Sequence, residues 1–312
     1  MNESAGQYIL LRLGNLSEEA LTDTIGIHGS SSIIVGVAYI TLSLTLLSIY
    51  VSFNAVLMRD REFSTLQAHR LMLFVGILDC IQLLGHVFGG VATMWKNINY
   101  DTPYLCQFIG GTLNAAWVGL FPLSLLIAVQ RFLIVRGKVK ADEKFSLGMK
   151  VVIFLCFAYC TGFWICLLCV GKVVYFPDSF SWSYGDDGGS KILSDLEFII
   201  SMSCIAVTFI VYTAISITLY KETRGIKRVC RSEIQLFLQA SVMFLILTSL
   251  ISLWHFYYLI LPDTVWTVFS INVYWILYCG LNPIVYIIFS KCVRILGVHH
   301  DAVYHDAHPV VG

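Results

Sequence analysis

The sequence predicts an all-α membrane protein, a bundle of seven transmembrane helices. Of 312 residues, 57% are hydrophobic and 13% are charged, and the mean hydropathy is +0.77, whereas soluble domains are about one-quarter charged. Seven apolar stretches can each cross about 30 Å of hydrocarbon, because a helix rises about 1.5 Å per residue. They cover residues 31–58, 71–95, 104–130, 151–171, 196–220, 234–262 and 264–290.

Short polar segments separate these stretches, and their charges predict the topology. The loops after spans one, three and five and the segment after span seven hold 3, 6, 5 and 2 Lys or Arg residues, 16 of the 20 in the chain. Because basic loops stay in the cytoplasm, the amino terminus is expected outside. The expected organisation is an extracellular tail at 1–30, a seven-helix domain at 31–290 and a cytoplasmic tail at 291–312.

The two tails contain candidate modification sites. Asn2 and Asn15 begin Asn-x-Ser sequons in the predicted extracellular tail, and no cleaved signal peptide is apparent. Residues 290–296 form a short amphipathic stretch suited to a helix on the inner leaflet. Its Cys292 is either palmitoylated or an unmodified cysteine.

The sequence gives no support for catalysis or for a soluble partner that binds through charge. The 20 basic residues equal the 20 acidic ones, so no net field attracts nucleic acid. Metalloprotease, hydrolase and phosphate-loop motifs are not found, and neither a cofactor nor a metal site is expected. A transporter or channel subunit stays an alternative, although neither an internal repeat nor a carbonyl filter is visible.

Polar residues within the spans are the best indicators of function, because burying a charge in hydrocarbon requires a partner or a role. Asp79 is expected near the bilayer midplane, either with hydrogen bonds, water or a cation beside it, or as a neutral acid that ties helices together. In the alternative function it lies on an ion path. Asn282 can bond to Asp79, Pro283 permits a kink, and Tyr286 follows one turn below.

Arg131 follows 27 residues without a charged side chain and is expected at the inner end of span three. It either anchors the topology or makes a specific contact. Glu233, at the start of span six on the same side, is a candidate partner for a contact that can break.

Together, Asp79, Arg131 and the Asn282-Pro283-x-x-Tyr286 string resemble those of rhodopsin-like seven-helix receptors. Within that superfamily, residues 30–297 are similar to the nematode serpentine chemoreceptors of class T, with class X as a near competitor. The similarity includes His69-Arg70-Leu71-Met72 and the stretch from Gly76 to Asp79.

This resemblance implies a G-protein-coupled chemosensory receptor in the plasma membrane, in a sensory cilium, with a small-molecule ligand and a heterotrimeric G protein as partners. Arg131 would be the G-protein-facing switch, with Tyr286 as a lower-helix toggle and Asp79, Asn282 and Pro283 as a mid-bundle polar network. Gln130 replaces the usual acid before the arginine, and span six lacks the usual internal proline. A diverged receptor that no longer signals is therefore a third interpretation.

The resemblance also directs attention to the outer end of the bundle. Cys106 matches the usual outer disulfide cysteine, but the loop from Gly171 to Ser194 has no cysteine. Cys169 is the alternative partner, and a free thiol is the other interpretation.

The expected ligand is small and uncharged or weakly polar. Span seven has no lysine for a retinal Schiff base. Span three has no carboxylate to bind an amine, so an amine ligand would require Asp195 or Glu197 instead. His255 is either a satisfied bundle histidine or a pH-sensitive group. The candidate pocket residues are Asn114, Trp117, Trp254, His255, Tyr274 and Trp275.

Overall fold

The computed structural model describes residues 18–59, 67–95, 97–140, 144–223 and 231–306. Within these ranges, seven helices are long and apolar enough to cross a membrane. The helices are α1 (Glu18–Arg59), α2 (Gln67–Met94), α3 (Pro103–Val135), α4 (Leu147–Cys169), α5 (Gly188–Thr223), α6 (Arg231–Phe256) and α7 (Val265–Asp306). The predicted seven-helix fold is therefore confirmed.

Some boundaries differ from the expected ones. The span within α5 begins at Gly188 rather than near 196, because Asp187 accepts hydrogen bonds from the backbone N–H and the hydroxyl of Ser190 and so caps the helix. These bonds also lower the pKa of the exposed Asp187 carboxyl below its usual value. Residues 18–30 of the expected tail are helical and continuous with span one.

The helices pack around α3, which contacts α2, α4 and α5. In each of α2, α3 and α7, half of the residues in the most apolar 18-residue stretch are buried. In α4 the buried share is only 17%, so this helix is peripheral. Large apolar side chains such as Ile34 and Phe154 face outward, as lipid contact requires. Helices α1 and α2 approach closely where Gly36 faces Gly90. A Cβ added to either glycine would lie 2.7 Å from the carbonyl oxygen of the other, so this approach requires glycine on both helices.

A β-hairpin between α4 and α5 closes one end of the bundle. Strands β1 (Val173–Phe176) and β2 (Ser181–Tyr184) pair antiparallel, with Tyr175 opposite Trp182. Tyr175, Phe180 and Trp182 are at most 2% exposed, so the hairpin is folded into the bundle. We call this end the outer end and the end that contains Arg131 the inner end, following the topology expected from the sequence.

Candidate functional site

A cavity lies directly beneath the hairpin at the outer end. Helices α3, α5, α6 and α7 and both strands contribute to its wall, and its volume is about 20 Å³, room for about one water molecule. The lining residues are Asn114, Trp117, Val173, Trp182, Ser183, Tyr184, Glu197, Leu250, Trp254 and Trp275.

Four of the six predicted pocket residues, Asn114, Trp117, Trp254 and Trp275, line this outer cavity, and the other two do not. The ring of His255 packs against Phe198, 4.8 Å between centroids, in the contact between α6 and α5. Tyr274 and Ser249 share a hydrogen bond of 2.6 Å between α7 and α6.

Glu197 is the principal polar group of the outer cavity and is only 2% exposed. Trp117 Nε1 donates to its Oε1 at 2.8 Å, and Asn114 Nδ2 donates to its Oε2 at 3.3 Å. The Tyr184 hydroxyl forms a very short hydrogen bond to the same Oε2. Burial, followed by the neighbouring carboxylate, raises the pKa of Tyr184 well above its usual value, so this hydroxyl keeps its proton.

The hairpin that supplies Tyr184 and Trp182 is fixed by hydrogen bonds to its backbone. Asn99 Nδ2 donates to the Tyr175 carbonyl at 2.6 Å, and the Tyr39 hydroxyl donates to the Phe180 carbonyl at 2.9 Å. Phe180 has a φ of 55°, a rare left-handed conformation for a side-chain-bearing residue, which turns the chain back into β2.

A close approach of α3 to β1 requires glycine at position 110. A Cβ added to Gly110 would lie 2.0 Å from the carbonyl oxygen of Val173, far inside contact distance. The hairpin can therefore reach its depth in the bundle only because α3 has no side chain there.

Of the two alternatives for Cys106, a disulfide with Cys169 or a free thiol, the structure has the free thiol, and Cys169 is free as well. The Cys106 thiol is buried and donates to the Ile98 carbonyl at 3.6 Å, whereas Cys169 is exposed. Gln107 instead links α3 to the end of α4. Its Nε2 donates to the carbonyls of Leu167, Leu168 and Gly171 at 3.2, 3.1 and 3.2 Å.

The middle of the bundle contains the hydrogen bond expected between α2 and α7. Asp79 is fully buried, and its Oδ2 accepts from Asn282 Nδ2 at 3.1 Å and from the Tyr50 hydroxyl at 2.7 Å. Tyr50 of α1 was not a predicted member of this network. Helix α7 continues through Pro283 to Asp306, so the helix expected after span seven is an extension of α7.

A second, larger cavity of about 60 Å³ lies at the inner end. Arg131, 3% exposed, lines it together with Tyr212 of α5 and Asn282 of α7. Residues 236–244 of α6 supply much of the remaining wall. Arg131 therefore lies within the bundle rather than emerging at its surface.

Near the inner cavity, polar side chains link α2 to α3 and α7. Gln130 Nε2 lies 3.4 Å from Gln67 Oε1, and Gln67 Nε2 lies 3.5 Å from the Lys144 carbonyl. Gln130 thus contacts α2 in place of forming the ion pair that an acid would make with the next arginine. Tyr286 lies with its hydroxyl 3.4 Å from His69 Nε2, so α7 also contacts α2 here.

Several predicted residues fall outside the described atoms. Asn2 and Asn15 lie outside the described residues, as do the side chains of Glu233 and Cys292, although both of the latter are in helical backbone. Tyr184 and Trp182 were not among the predicted site residues, and Glu197 was named only as a conditional partner for an amine ligand. An acid within an apolar span was the signal that could have identified Glu197.

The architecture is a bundle of seven transmembrane helices of the rhodopsin-like type. The crystal structure of squid rhodopsin matches it with a TM-score of 0.62 at 13% sequence identity, over 83% of this chain and 81% of that one, which shows a shared fold. Residues 17–299 match the family model of the serpentine type 7TM GPCR chemoreceptor Srt. The chain belongs to this chemoreceptor family. No curated protein has a significantly similar sequence.

Membership in this family establishes a multi-pass membrane protein of the G-protein-coupled chemoreceptor type. Such receptors are not enzymes. The class T resemblance is thereby confirmed over class X, and the transporter or channel alternative is not favoured.

Proposed function

We propose that the protein binds a small molecule in the outer cavity and activates a heterotrimeric G protein through the inner cavity. It acts in the plasma membrane of a sensory cilium, with residues 1–30 outside the cell, 31–290 in the bilayer and 291–312 in the cytoplasm. Glycosylation of Asn2 or Asn15 and palmitoylation of Cys292 belong to the same proposal.

One observation supports this proposal above the others: like α3, α5 and α7, α6 lines both cavities. Its outer part contributes Leu250 and Trp254 to the outer cavity, and residues 236–244 line the inner one. A tilt of this single helix therefore changes both cavities together. A ligand that prefers one tilt shifts the population of inner-end conformations by its difference in affinity.

The residues at the inner end have distinct roles in this proposal. Arg131 is the group that the G protein contacts once α6 moves away from α3. Glu233 is its partner in the resting bundle, and Tyr286 changes position when the lower part of α7 moves. Asp79, Asn282 and Pro283 couple α2 to α7 between the cavities.

An ion path through Asp79 has less support. Asp79 is fully buried beneath Tyr50 and Asn282 and lines neither cavity. The family membership also favours a receptor.

Replacing the inner arginine tests the proposal. Arg131→Ala is expected to preserve ligand binding and to abolish G-protein activation, measured as calcium or cAMP responses in cells that express equal surface amounts. Arg136→Ala is the matched control, because Arg136 is exposed at the end of the same helix. Normal signalling by Arg131→Ala would overturn the assigned role of the inner cavity.

A further inference from the structure

The outer cavity contains a buried acid, Glu197, whose role the sequence alone does not decide. Glu197 is 2% exposed inside the cavity, whereas Asp195, two residues earlier on α5, is exposed. The only carboxylate among the lining residues is therefore fixed in the wall where a ligand would lie. The remaining wall contains no lysine, arginine or histidine.

The contacts of Glu197 do not balance a negative charge. Its three hydrogen-bond donors, on Asn114, Trp117 and Tyr184, are all neutral groups. An ionised carboxylate without a cation is costly inside a membrane protein, so the site must hold either a proton or a positive ligand.

The hydrogen-bond pattern accommodates both states. The Tyr184 hydroxyl is within reach of Glu197 Oε2 and of Asn114 Oδ1, the latter at 2.9 Å, but it has only one proton to donate. With a proton on Glu197, the carboxyl donates to Tyr184, and Tyr184 donates to Asn114. With a bound cation, that proton leaves to solvent, Tyr184 donates to the carboxylate, and one of about four acceptor positions stays available.

Four tryptophans also line the cavity, and aromatic rings attract organic cations. The ring centroids of Trp117 and Trp254 lie 5.2 and 5.3 Å from that of Trp275, and the buried Trp182 of the hairpin also lines the cavity. Aromatic walls around a negative group are the typical surroundings of a bound ammonium group.

We propose that the outer cavity binds a small organic ammonium ion whose positive charge lies between Glu197 and these tryptophan faces. This inference rests on the proposed function, since it names the ligand class of the same cavity. The cavity of about 20 Å³ is smaller than an organic ammonium ion, so binding requires a shift of the hairpin or of α6. That shift is the link from occupancy to the inner end.

A pair of probes of equal shape and different charge tests the inference. Choline and its uncharged carbon isostere 3,3-dimethylbutan-1-ol are added separately to the purified receptor, and the thermal unfolding midpoint and tryptophan fluorescence are recorded. Choline is expected to raise the midpoint and to change the fluorescence at concentrations where the alcohol and sodium chloride have no effect.

Two substitutions locate the effect. Glu197→Gln is expected to weaken choline binding at least tenfold, because the neutral amide occupies the same volume but does not attract a cation. Asp195→Asn removes the same charge from the exposed side of α5 and is expected to leave binding unchanged. Comparable unfolding midpoints of the three unliganded proteins verify that each is folded.

Equal effects of choline and the alcohol, unchanged binding in Glu197→Gln, or no response to choline at any soluble concentration would each overturn the inference. None of these results alters the outcome of the Arg131 experiment. A receptor that signals through Arg131 but ignores choline would retain the proposed function and lose only the ammonium assignment.

Discussion

The outer and inner ends of the bundle are held together differently. At the outer end, the hairpin, Gln107 and Glu197 are fixed by several hydrogen bonds near 3 Å, and tryptophans fill the space between the helices. At the inner end, helices α2, α3, α5, α6 and α7 surround a cavity three times larger. The larger cavity leaves more room for helix movement, so the inner end is suited to move and the outer end to recognise.

The largest effect that separates the two ends is expected at Gly110. Gly110→Val would force β1 away from α3, because the new Cβ would meet the Val173 carbonyl at 2.0 Å. We expect a loss of about 3 kcal/mol or more of stability, together with loss of ligand binding, measured by thermal unfolding and a binding assay. Gly162→Val is the control, because no atom lies within 4 Å of a Cβ there. Equal stability of the two variants would show that the hairpin does not need this close approach.

A smaller loss of stability is expected at Gln107, whose hydrogen bonds link α3 to the end of α4. Gln107→Met keeps the side-chain length but leaves the carbonyls of Leu167, Leu168 and Gly171 without their donor. The expected cost is about 1–3 kcal/mol in thermal unfolding, with ligand binding weakened and the G-protein response to saturating ligand retained. Leu105→Met, at an exposed neighbouring position, is the control. A variant as stable as the control would show that another contact links α3 to α4.

The smallest effect is expected at the inner end. Tyr286→Phe removes a hydroxyl that lies 3.4 Å from His69 Nε2, and the ring contact with Phe53 stays. We expect less than about 1 kcal/mol of stability change but a measurable change in ligand-independent G-protein activity in cells. Tyr104→Phe, at an 86% exposed position, is the control. Unaltered basal activity would exclude Tyr286 from the switch.

The contrast between the ends also separates what the sequence could predict from what it could not. Seven spans and the Asp79–Asn282 bond were predictable, because long apolar stretches are distinctive and because charged and amide groups are rare and costly within apolar helices. Residues 173–184 gave no such signal. The sequence predicts only a loop there, although the aromatic side chains of Tyr175, Phe180 and Trp182 are buried where the hairpin folds back into the bundle.

The start of span five differs from the expectation, and the sequence left the state of Cys106 and Cys169 open, because both depend on tertiary structure that the local sequence does not specify. The sequence predicts that span five begins near 196, because Lys191 and Asp195 interrupt the apolar run. In the structure both residues are exposed side chains of α5, and Asp187 caps the helix before them. The Cys106–Cys169 pairing relied on position along the chain. The opposite surroundings of the two thiols, one buried and one exposed, depend on how α3 and α4 are rotated in the bundle.

A measurement of helix movement tests the central claim most directly. Spin labels at Arg136 of α3 and the lipid-exposed Leu238 of α6 report on the inner end, and labels at the exposed Tyr104 and Tyr258 report on the outer end. When the G protein that supports signalling in cells is added without nucleotide, the inner distance is expected to increase by several ångströms while the outer distance changes little. An unchanged inner distance, or a larger change at the outer pair, would contradict the account of an inner end that moves more than the outer end.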